Sequence, residues 1–114
     1  MNIEARKHLR FRMKDGILAA LTVAGTIMLT VGQIRDMSAD GLTVIHTDEV
    51  PIAPGMADML LLGYGGSQAP DLNIPARFIH QKNTENGFRY GFEFGDLSRE
   101  QRTRVSAFIQ SNVA

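Results

Sequence analysis

Phe88-Arg89-Tyr90-Gly91-Phe92-Glu93-Phe94 places aromatic rings at every second position, with Arg89, Gly91 and Glu93 between them. Successive side chains of a strand point to opposite faces, so this segment reads as a strand with one aromatic face turned to a core and one polar face turned outward. An aromatic row can also serve as a base-stacking platform, but the charges on the alternate positions favour the inward face of a barrel strand. Asn83 to Gly87, just before it, is hairpin-turn chemistry. After it the period changes. Ser98 can cap a helix with Gln101 as its capping-box partner, and Val105, Phe108 and Ile109 fall at i, i+3 and i+4. The chain therefore ends in a strand followed by one closing helix, over about residues 98–112.

Working outward toward the N-terminus, Ile74 to Gln81 reads as a strand, Gly63 to Asn73 as a turn-rich stretch with three glycines and Pro70, and Met59 to Leu62 as a short buried strand. Pro51, Pro54 and Gly55 mark a loop, Leu42 to His46 another strand, and Asp36 to Gly41 a polar break. Gly16 to Ala24 and Ile27 to Arg35 form a hairpin around Gly25-Thr26. Six short strands with turn signals between them predict a small all-β domain, a six-stranded antiparallel β-barrel, because closure removes the edges of so small a sheet. The helix would cover an open end. Residues 1–15 stand apart as a basic arm, and 16–114 form the barrel with its helix.

A chain of 114 residues accommodates one core. Its 44% hydrophobic and 21% charged residues are ordinary for a globular protein, and the absence of cysteine excludes a disulfide framework, a thiolate metal site and a cysteine nucleophile. Twelve basic residues balance twelve acidic ones, but Arg6, Lys7, Arg10, Arg12 and Lys14 against Glu4 concentrate positive charge at one end. The remainder is acidic, which argues against a nucleic-acid polymer as partner. The apolar run from Ile17 to Val31 after this basic start superficially imitates a leader peptide. Asp15-Gly16 separates the two parts, Thr22, Gly25, Thr26 and Thr30 interrupt the run, and it falls short of the roughly 20 residues a spanning helix needs. It reads as strands, with no membrane insertion and a cytoplasmic location expected.

Catalytic signals are weak. His8, His46 and His80 stand on different segments without metal-pair spacing, so no metal site is expected. Ser38 and Asp36 lack a nucleophile elbow, and Gly63-Tyr64-Gly65-Gly66 lacks the βαβ setting of a dinucleotide fingerprint. Pro51-Ile52-Ala53-Pro54 matches a minimal PxxP but is better explained as turn geometry.

Two features remain. Arg6-Lys7-His8-Leu9-Arg10 carries two guanidinium groups able to grip an anion through bidentate contacts, and Asp36-Met37-Ser38-Ala39-Asp40-Gly41 lies at a strand junction. Taken singly, the first is a solvated terminus and the second an Asx-type turn in which Gly41 supplies a positive φ. In order, with one hairpin between them, RxxxR and DxSxxG resemble the two-part signature of the PilZ domain. Tyr90-Gly91-Phe92-Glu93-Phe94 is similar to that family's aromatic-glycine sixth strand, and Leu97 to Ile109 to its closing helix.

The resemblance implies a split-barrel receptor for the bacterial second messenger cyclic di-GMP, with no catalysis and no cofactor. It puts Arg6 and Arg10 where the family's arginines clamp phosphates and contact guanine, and Asp36, Ser38 and Gly41 where its second motif surrounds a guanine. Chemistry agrees: arginine reads the N7 and O6 acceptors of guanine, Asp36 can accept from guanine N–H donors, and a glycine lets backbone approach the ligand. Lys7, Arg12 and Arg35 are expected to help. Ala5 and Asp40 depart from the pattern, since many members carry an arginine and a small residue there, and Asp40 adds a carboxylate near an anionic ligand. The expected partners are cyclic di-GMP and a downstream protein, for a monomer or a dimer alike. The alternative is a ligand-independent PilZ-like adaptor, for example in pilus or motility machinery. The arm, with almost no apolar periodicity, is expected to be mobile to about residue 12 until ligand orders it.

Overall fold

The computed structural model describes residues 9–23, 27–49, 52–63 and 71–114. Seven strands, β1 (Phe11–Arg12), β2 (Leu18–Val23), β3 (Ile27–Met37), β4 (Gly41–His46), β5 (Ala57–Leu62), β6 (Leu72–Thr84) and β7 (Gly87–Phe94), precede one helix, α1 (Arg99–Asn112). Every pairing is antiparallel. The order β3-β2-β5-β6-β7-β4 closes through β3 against β4, so six strands make the barrel and β1 is added to β3.

The alternation along β7 has the expected result. Tyr90, Phe92 and Phe94 are buried, Phe88 packs partly buried against them, and Glu93 is exposed. Phe78 of β6 packs in a tilted arrangement on both Tyr90 and Phe92, with ring centroids 5.8 and 5.6 Å apart. Offset and tilted pairs suit the ring quadrupole better than face-to-face stacking. Leu21, Ile34, Leu42, Val44, Leu60 and Ile74 complete the interior from the other strands. Helix α1 begins where the capping box sets it: the Gln101 N–H donates to Ser98 Oγ at 3.1 Å and the Ser98 N–H donates to Gln101 Oε1 at 2.8 Å. Its Val105, Phe108 and Ile109 join the barrel's apolar cluster. The turn expected at Gly25-Thr26 and residues 64–70 of the turn-rich stretch lie outside the described residues.

One departure bears on function. β1 and β2 lie antiparallel to the same strand, β3, with Lys14-Asp15-Gly16 looped out between them. Phe11 faces Met37 and Arg12 faces Asp36, and the Met13 N–H donates to the Arg35 carbonyl at 2.9 Å. On its other side the same segment meets the chain's end: the Lys14 N–H donates to the Asn112 carbonyl at 2.8 Å, and the Ala114 N–H to that of Arg12 at 2.9 Å. The expectation of a loose arm up to about residue 12 is thus corrected for the described residues. Met13, only 1% exposed, supplies the apolar anchor, and the backbone on both sides supplies the hydrogen bonds.

Candidate functional site

The register of β3, β4, β7 and β6 builds a trough on the outside of the barrel. Asp36, Thr43, Gly91 and His80 lie in one row across the four strands. At about 4.8 Å per inter-strand step, the row runs roughly 14 Å. Its middle is low because Thr43 is short and Gly91 has no side chain. A Cβ on Gly91 would come within 2.5 Å of His80 Cε1, so the imidazole occupies the space that glycine leaves. Arg35 reaches the row because β3 is bulged between Ile34 and Asp36. The resulting cleft measures about 310 Å³, and Arg10, Arg35, Asp36, Asp40, His80 and Arg89 line it together with Gly41, Thr43, Ile79, Gly91, Phe92 and Glu93.

At one end the two sequence motifs meet. Arg10 Nη1 donates to Asp36 Oδ1 at 3.1 Å, with the two side chains only 26% and 20% exposed. Partial burial strengthens such a charge-assisted bond over its exposed equivalents. The exposed Arg77–Glu93 pair, 2.7 Å apart, is a screened contact by comparison. Arg12 is exposed on β1. Arg6 and Lys7 lie outside the described residues.

The Ser38 to Gly41 turn is fastened from within. Ser38 is fully buried, and its hydroxyl donates to the Asp40 carboxylate and accepts from the Asp40 N–H at 3.3 Å. Its backbone N–H donates to the Gly41 carbonyl at 2.9 Å, while the Asp40 carbonyl accepts from the Phe94 N–H at 2.9 Å. Ser38 therefore lies beneath the cleft and holds Asp40 at its rim; it is not among the lining residues. Gly41 is not one of the positive-φ glycines. The reason for glycine there is steric: a Cβ would stand 2.5 Å from the Phe92 carbonyl oxygen. This corrects the turn-based account of Gly41.

His80, Arg89 and Thr43 are cleft residues that the motifs do not include. Alternation put Arg89 on the outer face of β7, but its neighbours depend on cross-strand register. On the far side of the arm, Leu9, Phe11, Ala39, Val105, Ile109 and Val113 line an apolar groove of about 580 Å³ between the arm and α1. Among the described residues there is no cluster of three or more metal-ligating side chains and no helix long and apolar enough to cross a membrane.

No curated protein matches the chain at a significant level. Solved structures do match its fold. The PilZ domain of YcgR from Escherichia coli, determined with c-di-GMP, superposes with a TM-score of 0.74 at 16% identity, covering 94% of this chain and 90% of that one. YcgR from Escherichia coli in complex with c-di-GMP gives 0.73 at 17% identity over 93% of this chain and 45% of that one. The Bacillus subtilis inhibitor of motility MotI/DgrA gives 0.69 at 13% identity over 96% and 51%. The chain thus spans about half the length of these two larger proteins. The PilZ domain family matches residues 4–111, from the arm through nearly all of the helix, and the chain belongs to that family, whose domains are receptors and not enzymes.

Proposed function

We propose that this protein is a cyclic di-GMP receptor whose ligand seats in the β3-β4-β7-β6 cleft and whose bound state is read by a partner protein. The observation that carries the reading is the Arg10–Asp36 contact, which joins the halves of RxxxR and DxSxxG at the mouth of that cleft. Family membership and the c-di-GMP-bound YcgR domain of the same fold add support. In this reading Arg10, with Arg6, clamps phosphate and guanine, Asp36 accepts from guanine N–H donors, and Arg35, Lys7 and Arg12 add positive field. Ser38 acts by holding Asp40 in place, and Gly41 by bringing β4 against β7. The groove between Leu9, Phe11 and α1 supports the relay, because the arm that carries Arg10 also forms its wall.

Calorimetric titration with cyclic di-GMP, with GMP and an oligonucleotide as controls, tests the proposal. Saturable binding of the cyclic dinucleotide alone is expected. No binding of cyclic di-GMP would leave the ligand-independent adaptor as the reading, and preference for the oligonucleotide would make the protein a single-strand binder.

A further inference from the structure

Three of the five large apolar side chains that stand exposed among the described residues line a single groove. Leu9 (76% exposed), Phe11 (40%) and Val113 (44%) border it together with Val105 and Ile109 of α1. Exposed apolar side chains gathered in one place mark an interaction surface, and an aromatic anchor such as Phe11 is the kind of residue that carries binding energy there. The arm serves two sides of the molecule: Leu9 and Phe11 line the groove, while Arg10 between them reaches Asp36 in the cleft. The charge is one-sided too. Arg102 is the one charged residue among the described lining residues, and its Nη1 donates to the Leu97 carbonyl at 2.7 Å. Asp40 and Asp96 share a neighbouring hollow with Arg102, yet neither forms an ion pair with it.

We infer that this groove docks an amphipathic helix with acidic flanks, presented by the partner protein. The inference rests on the receptor reading above for the partner's role and adds the partner's place and chemistry. Backbone pairing selects a helix. A peptide joining as a strand needs a free edge, but the arm is bonded on both sides, to β3 on one and to Asn112 and Ala114 on the other. The α1 wall runs from Arg102 to Val113, about 16 Å at 1.5 Å per residue, which matches about three turns of a second helix with apolar residues at i, i+4 and i+7. Charge selects the flanks. Arg99 lies one turn before Arg102 on α1, and Arg12 stands exposed on β1 beside Phe11, so carboxylates on the docked helix meet cations from both walls. The same cations oppose a second copy of this chain, because a twofold interface would set the basic patch against itself.

The test titrates the full chain against a fluorescently labelled helical peptide about four turns long, with leucines at i, i+4, i+7 and i+11 and glutamates on its flanks. One control peptide carries lysines in place of the glutamates, and another has the acidic sequence in scrambled order. Anisotropy reads binding, and melting temperatures are measured on the same samples. The acidic amphipathic peptide is expected to bind saturably and at least tenfold more tightly than either control. Leu9→Ser should weaken it at least fivefold without a fall in melting temperature, since Leu9 is largely exposed. Arg102→Glu should weaken the acidic peptide at least tenfold and strengthen the lysine peptide, a reversal that loss of fold does not produce. Arg104→Glu makes the same change of charge on another side of α1, beside Asp71 and Phe108, and should stay within threefold. Equal binding of all three peptides, or none, would overturn the inference, as would equal effects of Arg102→Glu and Arg104→Glu. A dimer that sedimentation detects and Leu9→Ser abolishes would give the groove to a second copy, and a tenfold gain in peptide affinity for Ile3→Ser would give it to the chain's own N-terminal segment; either overturns it. The titrations are repeated with cyclic di-GMP, which should change peptide affinity at least threefold, and an unchanged affinity would overturn the groove as the place where the bound state is read. If cyclic di-GMP itself does not bind, the receptor reading fails; if it binds and the acidic peptide does not, only the present inference fails.

Discussion

Two polar turns join antiparallel strands in this barrel. Asp36 to Gly41 links β3 to β4, and Asn83 to Gly87 links β6 to β7; both are rich in residues that favour turns. The second projects from the sheet's end and meets β4 only where Gly87 passes the His46 backbone. Asn83, Thr84, Glu85 and Asn86 are exposed, and Gly87 takes the positive φ (148°) that lets the chain reverse. The first is tied to two other parts of the molecule and fastened within itself. Asp36 is held by Arg10, the Asp40 carbonyl by Phe94, and the Ser38 hydroxyl is buried beneath Asp40. Turn chemistry accounts for one and leaves the other over-determined, as expected where polar groups are fixed in place for a ligand.

The largest separation between the two turns should come from Arg10→Ala. A charge-assisted hydrogen bond is worth roughly 1.5 to 3 kcal/mol, so losing the arginine should weaken cyclic di-GMP binding by about ten- to a hundredfold. Titration on folded protein decides it, and a dissociation constant within threefold of the original would remove Arg10 from the site. Arg6→Ala should behave similarly, and Lys7→Ala should cost far less. Equal losses at all three would mean that the N-terminal segment acts only as diffuse charge.

Gly41→Ala comes next, and its effect is on stability. The new methyl meets the backbone carbonyl of Phe92, which cannot swing away, so the strands must part at a cost of about 1 to 3 kcal/mol. Gly91→Ala meets the His80 side chain, which can rotate off, and should cost less. Denaturant unfolding of the pair measures this. A Gly41→Ala protein as stable as the Gly91→Ala protein would show that β4 and β7 are not held as closely as their register implies.

Ser38→Ala follows. Losing the buried hydroxyl should cost about 1 kcal/mol of stability, and freeing Asp40 should lower ligand affinity by more than that loss explains. Asp36→Ala should show the same excess through release of Arg10. Stability loss with unchanged affinity in both variants would reduce the Asp36 to Gly41 segment to an ordinary turn.

The features legible in the sequence are those with local signals. The period of two in β7 and the Ser98–Gln101 box needed only a few consecutive residues, and both appear as read. β1 was not legible because Phe11 and Arg12 are both exposed, leaving Met13 as a single inward residue without periodicity. The cause of Gly41 was not legible either, because the colliding atom belongs to Phe92, on a strand whose register only the closed barrel sets. The candidate site divides the same way. Arg10 and Asp36 come from recognisable motifs, whereas His80 and Arg89 share the cleft only because β6 and β7 pair in a register that shifts between Phe78 and His80.

The smallest expected effect belongs to the exposed turn. Glu85→Ala changes a solvated side chain without a packed neighbour, so stability should move by no more than about 0.5 kcal/mol. Because Glu85 carries negative charge, its removal could alter binding only through long-range field, which salt at about 0.15 M screens beyond about 8 Å. Affinity for cyclic di-GMP should therefore match the original at that ionic strength. Measuring Glu85→Ala beside Ser38→Ala puts the two turns in one experiment. A weakening equal to that of Ser38→Ala would mean that the ligand reaches past His80 to the β6–β7 hairpin, and that the two turns do not differ in the way their hydrogen bonds imply.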